Sequence, residues 1–195
     1  MRTCDKMTRS EEEFQEEIVS EVEKFLEKEW YAEKGVEVNK NVKILKDCTL
    51  VPEDNGKFGL YLGHAETDVA IYKDSQELSK EVKSKDFFKV YNKRDKEEFH
   101  VPLVIIETKS GEVTTDSIRS RTIIAREMNE IFPFIGYFFA AENTKKTNLT
   151  LYRQGKHFES FFIKKDRANE KWIVDNIIRE GISPHLKKLK NLDII

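Results

Sequence analysis

The feature that most constrains the fold is an apolar run in the middle of the chain, Pro102–Thr108, which reads PLVIIET. A run of this length with β-branched residues at its centre is typical of a strand covered on both faces. Ionisable residues stand at its end, at Glu107 and Lys109. Such groups are costly to bury unless they are paired or bound to a metal ion. The sequence therefore predicts a central strand with a functional end.

Helices and further strands are predicted on either side of this strand. Ser10 and Glu13 have the spacing of a capping box, and an apolar stripe continues to about Trp30, which predicts a first helix. The next predicted elements, in chain order, are a hairpin of strands Phe58–Leu62 and Asp68–Tyr72, the central strand, a helix capped by Thr114, Thr115 or Asp116 that ends at Phe132-Pro133, and a buried strand Phe134–Ala141.

The last fifty residues carry weaker signals. Strands are predicted at Leu149–Tyr152 and Phe158–Ile163 around Gly155, followed by a helix over Ala168–Arg179 that Gly181 ends and a short helix at Pro184–Leu189. We expect an α/β (α+β) fold with a small mixed central sheet flanked by helices, in the order αβββαβ. We expect one domain over residues 1–195, with a core at about 10–141, a charged insertion at about 73–100 and a C-terminal extension at 142–195.

Composition restricts the cellular setting more than the partner. The net charge of −2 neither indicates nor excludes nucleic acid, and the longest apolar run, Ile131–Ala141, is too short to cross a bilayer. Cys4 and Cys48 form no paired motif, so a disulfide scaffold is not expected. With only 8 glycines and no phosphate-binding loop, no nucleotide cofactor is expected. We expect a cytoplasmic protein with no membrane association.

The candidate chemistry lies in Asp68, Glu107 and Lys109. Residues two apart in a strand point to the same face, so Glu107 and Lys109 share a face at the end of the central strand. Asp68 begins a neighbouring predicted strand. If the two strands pair, two carboxylates and an ammonium group meet, and carboxylate oxygens suit Mg²⁺ or Mn²⁺. A metal ion there could polarise a phosphodiester and acidify a bound water, which a lysine could orient.

The motif alone has a simpler interpretation. A second acid-x-lysine triplet, Glu81-Val82-Lys83, lies in the charged insertion with no apolar strand before it. Glu107 and Lys109 could likewise form a surface ion pair while Asp68 caps a turn. The apolar run that precedes Glu107 favours the functional interpretation.

Asp68-Val69-Ala70-Ile71-Tyr72 and Val104-Ile105-Ile106-Glu107-Thr108-Lys109 together resemble the PD-(D/E)xK nuclease superfamily, the restriction-endonuclease-like group. The core of that family is a helix, a three-stranded meander, a helix and a strand. The resemblance implies that Asp68, Glu107 and the Thr108 carbonyl bind Mg²⁺, for which Mn²⁺ substitutes. It also implies that Lys109 positions the attacking water. A glutamate of the first helix often joins the metal site, and Glu17 and Glu21 are the candidates here, with Glu17 as the first choice.

Two features depart from the family pattern. Thr67 precedes Asp68 where the family has proline, and the separation of 39 positions from Asp68 to Glu107 requires an excursion over 73–100. DNA contacts are expected from the helix after the central strand, at Arg119, Arg121 and Arg126, and from the basic segment 143–167, at Lys145 and Lys146. These basic residues could instead form ordinary salt bridges.

The resemblance implies a Mg²⁺-dependent endonuclease that hydrolyses phosphodiester bonds of double-stranded DNA. A type II restriction endonuclease acting as a homodimer is the first expectation, since twofold DNA sites suit a twofold protein. A Holliday-junction resolvase, or a repair or transposon nuclease of the same fold, stays open. A catalytically inactive DNA-binding protein and an unrelated α/β protein with an accidental motif also stay open.

Overall fold

The computed structural model describes residues 10–27, 30–35, 37–39, 49–52, 58–61, 64–73, 102–143, 148–164 and 170–193. The described helices are α1 (Glu11–Phe25), α2 (Thr115–Ile131), α3 (Asn148–Gln154), α4 (Glu170–Asn176) and α5 (Ser183–Asn191). The described strands are β1 (Trp30–Lys34), β2 (Glu37–Asn39), β3 (Thr49–Pro52), β4 (Phe58–Tyr61), β5 (His64–Glu66), β6 (Val69–Lys73), β7 (Val104–Glu112), β8 (Gly136–Asn143) and β9 (Ser160–Ile163).

A five-stranded mixed sheet with the order β1-β6-β7-β8-β9 forms the centre of the protein. The first three strands are antiparallel neighbours, and β8 and β9 continue the sheet in parallel. With α1 before the antiparallel strands and α2 between β7 and β8, the chain follows the predicted order αβββαβ. The mixed α/β class is therefore confirmed.

Both faces of the sheet are covered, as the apolar run of the central strand requires. Val104 and Ile106 point to the side where α1, α4 and α5 pack, and Ile105 points to the side of α2. All three side chains are fully buried. This alternation assigns each following residue of β7 to one side, with Glu107 on the α2 side.

The two helices next to the central strand begin where the sequence predicts. In α1 the Ser10 hydroxyl accepts from the Glu13 N–H at 3.1 Å and the Glu13 carboxylate accepts from the Ser10 N–H at 2.8 Å, which completes the capping box. In α2 the Thr114 hydroxyl accepts from the Ser117 N–H at 3.1 Å. Both capped N-termini lie at the end of the sheet where β7 carries its ionisable residues.

The predicted first helix is too long and the predicted hairpin is wrong. Helix α1 ends at Phe25, and residues Trp30–Lys34 form strand β1, with Trp30 and Ala32 buried and Tyr31 exposed. This period of two suits a strand rather than a helix. Strand β4 pairs with β3 in a separate two-stranded sheet, so the third strand of the antiparallel meander is β1.

Other boundaries differ locally from the predictions. The segment predicted as a strand at Leu149–Tyr152 is helix α3, and β7 continues through the predicted stop at Lys109-Gly111 to Glu112. Gly181 does not end the last long helix but lies inside a π-helical segment, Ile177–Ile182, that joins α4 to α5. The Ser183 N–H donates to the Ile178 carbonyl, five residues back, which is the hydrogen bond of a π turn.

The described part of the C-terminal region belongs to the same core. Strand β9 pairs with β8, and Ile173, Val174 and Leu189 lie in one apolar cluster with Phe14 of α1. The predicted insertion at about 73–100 lies outside the described residues, except for Lys73 at the end of β6. Within the ranges that are described, no helix combines the length and the apolar character needed to span a bilayer.

Candidate active site

Asp68 and Glu107 are brought together by the pairing of β6 with β7. Val69 lies across from Ile106, so the same antiparallel register places Asp68, one residue before β6, across from Glu107. Asp68 is fixed by the next residue of β7, because its Oδ2 accepts from the Thr108 N–H at 2.7 Å and from the Thr108 hydroxyl at 3.1 Å. The strand pairing predicted from the sequence is therefore correct at this point.

Glu107 is a buried carboxylate with a donor on each oxygen. Only 5% of the residue is exposed, the Tyr137 hydroxyl donates to Oε1 at 2.6 Å, and the Arg121 Nε donates to Oε2 at 2.9 Å. Burial raises the pKa of Glu107 to about 7, and the negative charge of Asp68 adds to the rise. The hydrogen bond from Tyr137 and the charge of Arg121 act in the opposite direction without cancelling it.

Lys109 extends the cluster towards the first helix. Its Nζ contacts the Glu11 carboxylate at 2.5 Å, and both side chains are between a quarter and a third exposed. Gln15, one turn further along α1, donates its Nε2 hydrogen to the Thr108 hydroxyl at 3.1 Å. The first two turns of α1 therefore close one side of the site, and the Lys109 ammonium lies against the Glu11 carboxylate with partial access to solvent.

Arg121 is the residue that joins all three carboxylates. Besides the hydrogen bond to Glu107, its Nη2 lies 3.5 Å from Glu11 and 3.6 Å from Asp68. Burial acts to lower the pKa of Arg121, but the charges of Glu107, Asp68 and Glu11 outweigh it and leave the pKa above its ordinary value. The guanidinium is a permanent cation at the centre of the cluster.

Arg121 was predicted to contact DNA, and its guanidinium lies instead against three carboxylates, so its role in DNA binding stays a prediction. The sequence contained a signal for its location, because Arg121 shares a helical stripe with Ile118, Ala125 and Met128, which are fully buried. An arginine on such a stripe needs an anionic partner. Glu107 is that partner.

Glu11 and Gln15 are the residues of α1 that reach this cluster, and the sequence analysis missed both. They lie at helical spacing from Ile18 and Val22, the buried stripe of the helix, so their position on the inward face was available from the pattern. Glu17 is half-buried and lies about 200° around the helix from Gln15. Its role at a metal ion stays a prediction.

The other two described residues that were predicted to contact DNA, Arg119 and Arg126, lie apart from the cluster. Arg119 is exposed on α2 and donates through Nε to Gln154 of α3 at 2.8 Å. Arg126 is exposed two turns further along α2, and with Lys156 its charge adds to the effect of burial in lowering the pKa of His157. The outer surface of α2 therefore carries two exposed arginines among exposed acidic residues, Asp116 and Glu130. Lys145 and Lys146 lie outside the described residues.

The carboxylate oxygens of Asp68 and Glu107 suit a hard divalent cation, although the Arg121 guanidinium lies against them. Asp68 and Glu107 supply carboxylate oxygens from adjacent strands, and oxygen ligands of this type bind Mg²⁺ and Mn²⁺. Among the described residues, no three acidic, histidine or cysteine side chains are arranged so that they could hold one ion. The site therefore fits a metal ion on two grounds: it offers two carboxylates, and these carboxylates already attract a cation, Arg121.

Comparisons with known proteins add little to this geometry. No protein-family model matches the chain, and no curated protein matches it. Among solved structures, the chain is similar to a chain of the BbvCI A2B2 tetramer, with 15% identity and a TM-score of 0.48. The match covers 80% of this chain, which spans 59% of the BbvCI chain. A likeness at this level carries no argument about activity.

Proposed function

We propose that the protein is a Mg²⁺-dependent endonuclease that hydrolyses phosphodiester bonds of double-stranded DNA, with Asp68, Glu107 and Lys109 as its catalytic residues. The observation that carries the proposal is the convergence of Asp68 and Glu107 on one cation, Arg121, at the end of the sheet. Lys109, two residues further along β7 from Glu107, is connected to this cluster through Glu11, which also lies 3.5 Å from Arg121. A strand order that matches the core of the resembled nuclease family supports it.

Each residue of the cluster has a distinct part in this proposal. Asp68, Glu107 and the Thr108 carbonyl hold the metal ion, which when bound supplies positive charge to the phosphodiester and acidifies a water molecule. Lys109 hydrogen-bonds the attacking water and balances the negative charge that develops on the phosphate. Glu11 orients the Lys109 ammonium, and the Thr108 N–H orients Asp68.

A type II restriction endonuclease is the member of this class that we propose first, as a cytoplasmic homodimer that uses Mg²⁺ or Mn²⁺. A homodimer would place two such sites on the two strands of a twofold DNA sequence. A junction resolvase, or a repair or transposon nuclease, would use the same residues on a different DNA substrate. The exposed Arg119 and Arg126 support contact with the DNA backbone in each case.

The second candidate function is a catalytically inactive DNA-binding protein. It is favoured by one observation, the contact of Arg121 with all three carboxylates, because an internal guanidinium can serve as a permanent replacement for a metal ion. The intact set of Asp68, Glu107 and Lys109 favours the nuclease.

The test is a cleavage assay on supercoiled plasmid, branched DNA and single-stranded DNA, with Mg²⁺ or with EDTA. The wild type is compared with Asp68→Asn, which keeps the side-chain shape and removes the charge. Discrete plasmid fragments that need Mg²⁺ and Asp68 support a restriction endonuclease, and cleavage of branched DNA alone supports a resolvase. Binding of DNA without cleavage of any substrate supports the inactive protein and contradicts the nuclease.

A further inference from the structure

We propose that Arg121 is the built-in counter-cation of this site and that a divalent metal ion must displace it from Glu107 in order to bind. The inference rests on the proposed function, because it concerns the same carboxylates. In addition, the metal-free and metal-loaded forms of the protein differ in the position of the Arg121 side chain. Arg121 then controls metal affinity and does not act as a fixed DNA contact.

The oxygen atoms of the two carboxylates show where competition occurs. Both oxygens of Glu107 already accept hydrogen bonds, Oε1 from Tyr137 and Oε2 from Arg121. The hydrogen bonds that Asp68 accepts from described residues all end on Oδ2, so its Oδ1 is the atom open to a new ligand. A metal ion that binds both Asp68 and Glu107 would therefore approach a Glu107 oxygen that already accepts a hydrogen bond, and it would compete there with that donor.

The exposure of Tyr137 and of Arg121 indicates which of these two donors leaves Glu107. The Tyr137 residue is 1% exposed and is enclosed by the ring of Phe158, 5.5 Å away between centroids. The Arg121 side chain is 22% exposed and reaches the cluster from the N-terminal half of α2. A long, partly exposed side chain can withdraw towards solvent, whereas the tyrosine ring cannot leave without disrupting the core.

The charge balance leads to the same conclusion. With every group ionised, three carboxylates and two cations leave the cluster with a net charge of −1. A divalent ion added beside Arg121 would make it +1, and like charges in a partly buried site repel strongly. Removal of the guanidinium brings the net charge to zero. Lys109 can remain, because its partner is Glu11 rather than Glu107.

The first experiment measures Mn²⁺ binding by electron paramagnetic resonance of the free ion, which needs no DNA and no activity. Arg121→Gln is expected to bind Mn²⁺ at least tenfold more tightly than the wild type, and to unfold at a lower temperature without metal. Asp68→Asn is expected to lose binding. Arg179→Gln removes an exposed arginine of the π-helical segment and serves as the matched control with wild-type affinity.

The second measurement uses unaltered protein and so does not depend on whether Arg121→Gln folds. The Arg121 Nε–H, held by Glu107 at 2.9 Å, should give an arginine side-chain NMR signal separated from those of exposed arginines. Titration with Mg²⁺ is expected to move this signal to the position of a solvated arginine, in step with metal binding.

The outcomes separate this inference from the proposed function. If the wild type binds Mn²⁺ through Asp68 but Arg121→Gln binds no more tightly and the Nε–H signal stays in place, only the inference is overturned. If neither the wild type nor Arg121→Gln binds Mn²⁺, the metal site itself is wrong and both fail. If Arg121→Gln alone binds Mn²⁺, the arginine blocks the wild-type site and the ion does not displace it, so the proposed displacement is overturned.

Discussion

At the scale of single residues, Glu107 is held by two donors of different kinds. Tyr137 is a neutral donor enclosed in the core, and Arg121 is a charged donor that reaches in from α2. A buried carboxylate needs such partners, because an unsatisfied polar group loses the hydrogen bonds that it makes with water in the unfolded chain. The stability of the protein and its proposed chemistry therefore depend on the same side chain.

Tyr137→Phe tests the neutral donor. The change keeps the ring and removes the hydroxyl, which leaves Oε1 of Glu107 without its partner, and we expect the free energy of unfolding to fall by about 1–3 kcal/mol. Urea denaturation measures the loss. Tyr152→Phe is the control, since Tyr152 is 57% exposed and the same change there should alter stability by less than about 0.5 kcal/mol. Equal effects at the two tyrosines would contradict the account.

The pKa of about 7 at Glu107 predicts how stability depends on pH in the metal-free protein. Because the pKa is raised in the folded state, the folded protein retains a proton that the unfolded chain has already released above its own pKa of about 4.5. The stability due to Glu107 is therefore fully present below pH 4.5 and is lost as the pH rises to about 7. The total loss is on the order of 3 kcal/mol.

Glu107→Gln removes this dependence and makes the prediction measurable. The free energy of unfolding of the wild type, taken relative to Glu107→Gln, is expected to decrease between pH 5 and pH 7.5 and then to level off. Urea titrations in EDTA at several pH values provide the comparison. A difference that stays constant or increases over this range would contradict the raised pKa.

The residues found from the sequence and those missed differ in a physical way. Asp68, Glu107 and Lys109 could be predicted because they lie at the ends of apolar strands, where strand pairing alone brings them together. Glu11 and Arg121 belong to helices, so their place in the site depends on how α1 and α2 pack over the sheet. Their positions on buried helical stripes were the available signal, but their charge suggested solvent.

At the scale of elements, strongly periodic segments were predicted well and short polar ones were not. The central strand β7, the helix α2 with its Thr114 cap and the strand β8 agree with the sequence pattern, because the two strands are continuous apolar runs and the helix has an apolar stripe at helical spacing. The segment at Leu149–Tyr152 has β-prone residues but forms the helix α3, whose Leu151 packs into the core on the α2 side of the sheet. Local propensity was outweighed there by packing.

Gly155 shows how tightly α3 is joined to the sheet. A Cβ atom at this position would lie inside the contact distance of the Phe161 ring of β9. Gly155→Ala is therefore expected to lower the free energy of unfolding by about 1–3 kcal/mol through overpacking. Gly111→Ala is the control, because a Cβ there has no neighbour within 4 Å. Thermal or urea unfolding of both variants checks the prediction, and a stability of Gly155→Ala equal to that of the control would contradict it.

At the scale of the whole molecule, the charge is nearly balanced but unevenly placed. The net charge is −2, yet the outer surface of α2 carries the exposed Arg119 and Arg126. Exposed arginines can contact a polyanion even when the total charge is slightly negative. We therefore place the DNA backbone of the proposed complex along α2, next to the N-terminal end that carries Arg121.

The salt dependence of DNA binding tests this placement. Each phosphate contact contributes about −0.9 to the slope of log K against log salt concentration for duplex DNA. The double variant Arg119→Ala/Arg126→Ala is expected to bind more weakly and to lower the magnitude of the slope by about 2. Fluorescence anisotropy in EDTA, which prevents cleavage, measures it. Arg179→Ala/Lys187→Ala removes the same charge from the C-terminal helices and should leave the slope unchanged.

The most direct test of the central claim is the rate of plasmid cleavage by Lys109→Ala under single-turnover conditions in Mg²⁺. The account predicts a loss of about 10²–10⁴-fold, because Lys109 positions the attacking water, with little change in stability, since its ion pair with Glu11 is partly exposed. Lys24→Ala, which breaks the exposed pair with Glu21 on α1, should cleave at the wild-type rate. Cleavage by Lys109→Ala at the wild-type rate, or equal cleavage in EDTA, would contradict the assignment of this cluster as the catalytic site.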